Sequence, residues 1–125
     1  MIEGVQDVYY NVRDMPAALR FYRDVLGLRV VEESAHWSAL EVGGVRVGLH
    51  GTGGAPVPIV PRSAGGASAG ATLTLRVGDI HAEVARLKQA GVQFLGDVDT
   101  GEWGSTAAFE DPDGNVLKLM QPARR

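Results

Sequence analysis

Cysteine is missing from all 125 residues. Its absence excludes a disulfide scaffold, a thiolate metal site and a cysteine nucleophile. Basic charge is also short: Lys and Arg total 12 against 15 Asp and Glu, a net charge of −3 with no basic stripe. Binding of duplex nucleic acid by counterion release needs such a stripe, so nucleic acid is not an expected partner. No apolar run reaches the roughly eighteen residues of a membrane span, and no membrane partner is expected. The start, Met1-Ile2-Glu3-Gly4, has no basic stretch leading into an apolar one; no secretory signal is read there, and the expected location is the cytoplasm. Two catalytic templates are missing as well, the Gly-x-Ser-x-Gly elbow and the phosphate-cradling loop that ends in Gly-Lys-Ser/Thr. The glycines at 51–54 lack that lysine and a following helix.

What is present suffices for one folded domain over residues 1–125. Hydrophobic residues make up 45% of the chain, enough to bury a core at this length. Its organisation is an internal repeat. In 5–27 an alternating run, with Val8, Tyr10 and Val12 against Asp7, Tyr9 and Asn11, reads as a half-buried strand. Asp14 then caps a helix, with Pro16 in its first turn and Met15, Ala18, Leu19, Tyr22, Val25 and Leu26 at helical spacing. Gly27 closes it. Segment 70–91 repeats the scheme. Leu73, Leu75 and Val77 alternate with Thr72, Thr74 and Arg76; Asp79 caps, Ile80, Val84 and Leu87 form the helical stripe, and Gly91 closes. Strands follow over about 28–34, 37–42 and 45–50, the last two joined by Gly43-Gly44. The second set runs over about 92–98, 104–110 and 115–121, with Asp111-Pro112-Asp113-Gly114 as a turn.

The prediction is α+β: two βαβββ modules, over 1–50 and 71–122. Between them lies a linker, 51–71, whose six glycines and three prolines predict no regular structure.

Two of these runs carry a resemblance: Asp-Met-Pro-Ala-Ala-Leu-Arg-Phe-Tyr-Arg-Asp-Val-Leu-Gly-Leu at 14–28 and Asp-Pro-Asp-Gly-Asn at 111–115. With the paired modules, they make the chain similar to the vicinal oxygen chelate superfamily, from residue 4 to about 122. That group includes glyoxalase I, extradiol dioxygenases, fosfomycin-resistance transferases and metal-free bleomycin-binding proteins. The resemblance implies a curled mixed sheet, or cup, with helices outside and the ligand inside. It does not fix the chemistry, because one fold hosts many.

In metal-using members of that superfamily, histidines and carboxylates from four strands meet in the cup. Local spacing carries those positions onto Asp7, Gly48, Thr72 and Lys118. A lysine has no lone pair to give at neutral pH and glycine has no side chain. Only Asp7 is a donor that a divalent ion would take, so the expectation is no metal and no cofactor.

Strand parity assigns the lining: Asp7, Tyr9 and Asn11; Arg46 and His50; Thr72, Thr74 and Arg76; Lys118 and Met120; and, by the resemblance, Thr106, Ala108 and Glu110. The parity of 37–42 is not fixed by pattern, so His36 and Trp37 stay unassigned. Lys118 either replaces the missing cation, pairing with Asp7 or an anionic ligand group, or completes a structural ion pair. Tyr9 either stacks on a planar ligand or is a half-exposed strand residue. Trp103, between glycines, is a lid or a dimer anchor. His50 reaches the inner face near the cup mouth, where a lone histidine is more often structural than catalytic. The resulting reading is a metal-free, homodimeric cup that sequesters a small organic molecule. Its rivals are a metal-independent isomerase, epimerase or cyclase using Asp7, Lys118, Glu110, His50 or Tyr9, and a metal enzyme using Asp7, His50 and Glu110.

Overall fold

The computed structural model describes residues 1–58 and 70–124, and the chain divides into two compact units, Met1–Pro58 and Ile59–Arg125. Each is built by the same logic.

In the first unit, strand β1 (Val8–Val12) is followed by helix α1 (Met15–Leu19). Asp14 caps α1, its carboxylate accepting from Ala17 N at 3.1 Å. The helix then widens into a π-helical segment, Arg20–Val25, closed by Leu26 N donating to Phe21 O at 2.9 Å. The helical stretch expected after Asp14 is there, but six of its residues are π-helical and only five α-helical. β2 (Arg29–Glu32), β3 (Trp37–Val42) and β4 (Val45–Gly51) complete a four-stranded mixed sheet in the order β1-β4-β3-β2. Only β1 and β4 run parallel. The Gly43-Gly44 turn joins Val42 to Val45 as expected.

One face of this sheet is core. Val12, Leu40, Val47 and Leu49 are fully buried on it, with Tyr22, Ala18 and Leu19 from the helical stretch, the β period of two meeting the helical stripe. Burying a large aliphatic or aromatic side chain here contributes about 1.5–3 kcal/mol.

The second unit pairs β5 (Leu73–Arg76) with β8 (Val116–Pro122) in parallel, and β7 (Gly104–Glu110) with β8 and with β6 (Asp99–Gly101) antiparallel, in the order β5-β8-β7-β6. Helix α2 (Ile80–Gln89) is capped by Asp79, which accepts from Ala82 N at 3.1 Å, and packs against β7 and β8. Its core is Ile80, Leu87, Phe109, Leu117 and Leu119. The turn after β7 is a closed network: buried Asp111 accepts from Asp113 N and Asn115 N at 2.9 Å each, and from Asn115 Nδ2 at 2.8 Å.

Here one expectation is corrected. The strand predicted over 92–98 is reduced to a bridge between Phe94 and Phe109, flanked by Leu95 N to Ala108 O and Glu110 N to Gln93 O. The chain turns away at Gly96, whose φ is 148°, and pairs again only as β6 (Asp99–Gly101). Of the linker expected over 51–71, Gly51 belongs to β4 and residues 59–69 lie outside the described residues.

Candidate functional site

The face of the first sheet opposite α1 carries the distinctive chemistry. Direct cross-strand partners share a face. Tyr9 stands beside Gly48, and Gly48 beside Ala39; one row further on, Asn11 stands beside His50 and His50 beside Trp37. Three rings therefore gather around a residue without a side chain. Tyr9 lies edge-on to Trp37, centroids 5.6 Å apart with planes at 70°, and edge-on to His50 at 5.8 Å and 65°. Such edge-to-face pairs suit the ring quadrupoles and add about 0.5–1.5 kcal/mol beyond burial.

The glycine makes the arrangement possible. A Cβ on Gly48 would overlap Trp37 Cη2 and stand 2.5 Å from Cζ2 and 2.9 Å from Tyr9 Cβ. The indole lies on the backbone of β4 as on a floor. Tyr9 remains 53% exposed, so the group is a solvent-facing platform rather than core. His50 Nδ1 lies 3.1 Å from Asn11 Oδ1, which fixes the imidazole beside the rings.

Trp37 is the site residue that strand pattern left unassigned. The signal was present in the turn: a two-residue Gly-Gly loop fixes the hairpin register, and counting back from Val42 and Val45 sets Trp37 opposite His50. His36, by contrast, is exposed outside the sheet.

Arg46 shares the Tyr9 parity but reaches Glu32, at 3.5 Å, and faces Glu41 across the ladder. Glu41 accepts from Gly44 N at 2.6 Å, and that bond first, with the Arg29 guanidinium second, holds its carboxyl below the usual range. Asp7 is half-buried, one residue ahead of β1.

In the second unit the face opposite α2 brings together Thr74, Lys118 and Ala108 in one row and Arg76, Met120, Thr106 and Asp99 in the next. Thr72 precedes β5 on the same parity, and Glu110 ends β7 opposite Val116. The expected lining of this module is therefore assembled on one surface. Within this unit, among the described residues, no carboxylate forms an ion pair with Lys118. Trp103 is 47% exposed at the tip between β6 and β7 and folds back on its own hairpin: a Cβ on Gly101 would stand 2.6 Å from its Nε1.

A further concavity of about 920 Å³ opens on the helix side of the first unit, lined by Arg13, Met15, Leu19, Arg20, Arg23 and Gly53 among others. Arg23 there is engaged by Asp24 at 2.9 Å and Glu33 at 3.7 Å. None of the predicted site residues lines it.

The donors expected of a metal centre do not fit this chain. Position 48 offers no side chain and its space is filled by an indole, and positions 72 and 118 are threonine and lysine. Among the described residues no three His, Cys, Asp or Glu side chains gather as a cation would need. Divalent ions select on ligand type and number, so no step is assigned to a metal.

Two βαβββ units, each with a mixed four-stranded sheet backed by helix on one face, define a glyoxalase-like fold. The sequence pattern described as Glyoxalase/Bleomycin resistance protein/Dioxygenase superfamily matches residues 4–119, and the chain belongs to that superfamily. It is 28% identical to the uncharacterized protein YetH of Bacillus subtilis (strain 168), over 97% of this chain and all of that protein. Among solved structures it is similar to TnmS3, an antibiotic binding protein from Streptomyces sp. CB03234, at 27% identity and a TM-score of 0.67, covering 98% of this chain and 100% of that one. It shares its fold with a mutant of the fosfomycin resistance protein FosX from Listeria monocytogenes, complexed with Mn(II) and dihydroxypropylphosphonic acid. That likeness has a TM-score of 0.74 at 14% identity, covering 96% of this chain and 90% of that one, and it concerns the fold alone. Among the described residues no helix is long and apolar enough to cross a membrane.

Proposed function

We propose that the protein binds a small planar organic molecule on the Tyr9–Trp37 platform, without metal, and acts by sequestering it. The observation that carries this is the indole of Trp37 seated on Gly48 beside a half-exposed Tyr9. Small-ligand sites are lined by aromatic and apolar side chains with a few placed polar groups, and the Tyr9–Trp37 pair with Asn11–His50 supplies both kinds. The 27% identity to an antibiotic binding protein over nearly the whole chain supports binding as the activity. The same proposal includes a cytoplasmic homodimer. Each sheet is only four strands wide, with β1 and β2 as the edges of the first, and edge strands favour being covered.

The chain's two tryptophans, Trp37 and Trp103, lie in different units, so their indole N–H signals report separately. Chelator-treated protein titrated with planar aromatic antibiotics should show the Trp37 signal shifting with saturation at one ligand per chain. Trp37→Ala should weaken binding by at least about tenfold, which is roughly 1.4 kcal/mol. Ligand that moves only Trp103, or binding that needs added Zn²⁺ or Mn²⁺, would overturn the proposal. Steady turnover of the bound compound, lost in both Asp7→Asn and Lys118→Met, would replace sequestration by acid–base catalysis.

A further inference from the structure

The contact between Asn11 and His50 has a chemical consequence for what the platform can select. An amide oxygen only accepts, so the contact of Asn11 Oδ1 with Nδ1 at 3.1 Å is a hydrogen bond only in the tautomer that carries the neutral imidazole's proton on Nδ1. The other nitrogen, Nε2, then carries a bare lone pair. His50 is exposed, and no other hydrogen bond holds its ring among the described residues. This nitrogen belongs to a ring whose centroid is 5.8 Å from that of Tyr9. Tyr9 in turn is 5.6 Å from Trp37. An acceptor thus stands at the rim of an aromatic surface, and it is fixed in place by a partner on the neighbouring strand.

We infer that His50 Nε2 is a specificity element, accepting a hydrogen bond from a hydroxyl or N–H group on the planar ligand, so that the platform favours phenol-like compounds over their capped counterparts. The inference deepens the binding proposed above and rests on it. A flat ring lying on Tyr9 and Trp37 buries its own hydrophobic face whatever its substituents. A ring with a donor at its edge satisfies Nε2; a ring without one leaves that nitrogen desolvated and unpaired. Because His50 is exposed, the discrimination comes from the bound ring itself excluding water from Nε2, which an edge donor replaces and a methyl cap does not. Asn11 is a positioning residue here, acting through the imidazole and not on the ligand.

Two measurements on the full chain test this. Long-range proton–nitrogen NMR of the histidine rings should show His50 with a protonated Nδ1 and a pyridine-type Nε2; the opposite tautomer overturns the inference whether or not any ligand binds. Calorimetric titration should find 2-naphthol binding at least about tenfold more tightly than 2-methoxynaphthalene. His50→Phe, which keeps a ring, should bring that ratio close to one, and Asn11→Ala should lower it while releasing the tautomer. Equal affinities in the unchanged protein overturn the selection but leave the platform standing. Failure of both compounds to bind, or to move the Trp37 indole signal, removes the platform itself and the inference with it.

Discussion

Superposing the repeat on itself by its turns sets Gly48 against Lys118, Tyr9 against Thr74, His50 against Met120 and Asn11 against Arg76. The helix-facing surfaces of the two sheets are interchangeable in kind: Val47, Leu49 and Leu40 in one, Leu117, Leu119 and Phe109 in the other, all buried. The opposite surfaces differ, although each keeps an alanine beside its central position, Ala39 and Ala108. In the first unit that surface holds three rings on a glycine floor, with Arg46 and Glu41 facing each other further along; in the second it holds hydroxyls, a thioether, two cations and Asp99. Packing against a helix demands volume and apolar character at a fixed period, and both units meet the demand the same way. Packing against the helix does not constrain the other face, and that is the face on which we propose that a ligand binds. The two units thus differ most on the surface that the core does not need, where the first carries the aromatic group and the second does not.

The largest expected effect tests the shared half of that comparison. Phe109 is fully buried and packs against Phe94, centroids 5.6 Å apart. Phe109→Ala should destabilise by about 3–5 kcal/mol through lost transfer energy and a cavity, read as a lowered denaturant midpoint. It should do so without changing ligand selectivity. A loss below about 1 kcal/mol, far under the usual cost of such a truncation, would mean that the second unit does not hold this core.

A pair of glycines sharpens the contrast. At Gly104 φ is 128°, and a Cβ would overlap Gln121 O and stand 2.8 Å from Ala123 N. These obstacles are backbone. At Gly48 the main obstacle is the far end of one side chain, the Trp37 ring. Gly104→Ala should therefore cost about 3 kcal/mol, overpacking added to left-handed strain, and show in thermal unfolding. Gly48→Ala should cost about 1 kcal/mol or a little more and show chiefly in binding, as a displaced Trp37 indole signal and weaker ligand affinity. If Gly48→Ala left the indole signal in place, the glycine floor would not be what seats the ring.

How far these features could be read from sequence depends on which interactions set them. The caps at Asp14 and Asp79, the turns at 43–44 and 111–114 and the parity of β1, β5 and β8 are local, set within a few residues by backbone geometry, and the structure has them where the pattern puts them. The register that places Trp37 is also local, set by the two-residue turn at Gly43-Gly44. Three features were not legible. The π-helical run at Arg20–Val25 keeps the same apolar positions an α-helix would, so periodicity is blind to it. The failure of 92–98 as a strand turns on Gly96, which hydrophobic alternation ignores. The seating of Trp37 on Gly48 depends on where a long side chain leans across two strands, a matter of tertiary packing. Of the candidate site, the strand residues Tyr9, Asn11 and His50 were legible singly; that they form a group with Trp37 was not.

The helix caps carry the comparison to its smallest expected effect. Asp14 and Asp79 each accept one amide at 3.1 Å, from Ala17 and Ala82, and losing such a cap costs about 1 kcal/mol. The two helices differ beyond their caps. α2 continues regularly over ten residues with Glu83 in its first turn, whereas α1 has five residues, no acid in its first turn and a π-helical continuation. An acidic side chain near a helix start compensates part of the exposed amide charge. Asp14→Ala should therefore lower the unfolding midpoint more than Asp79→Ala, by a few tenths of a kcal/mol on top of the common loss. Hydrogen exchange should place the difference in residues 15–19. Equal losses would show that the π-helical segment and the missing acid leave the first helix no more dependent on its cap than the second.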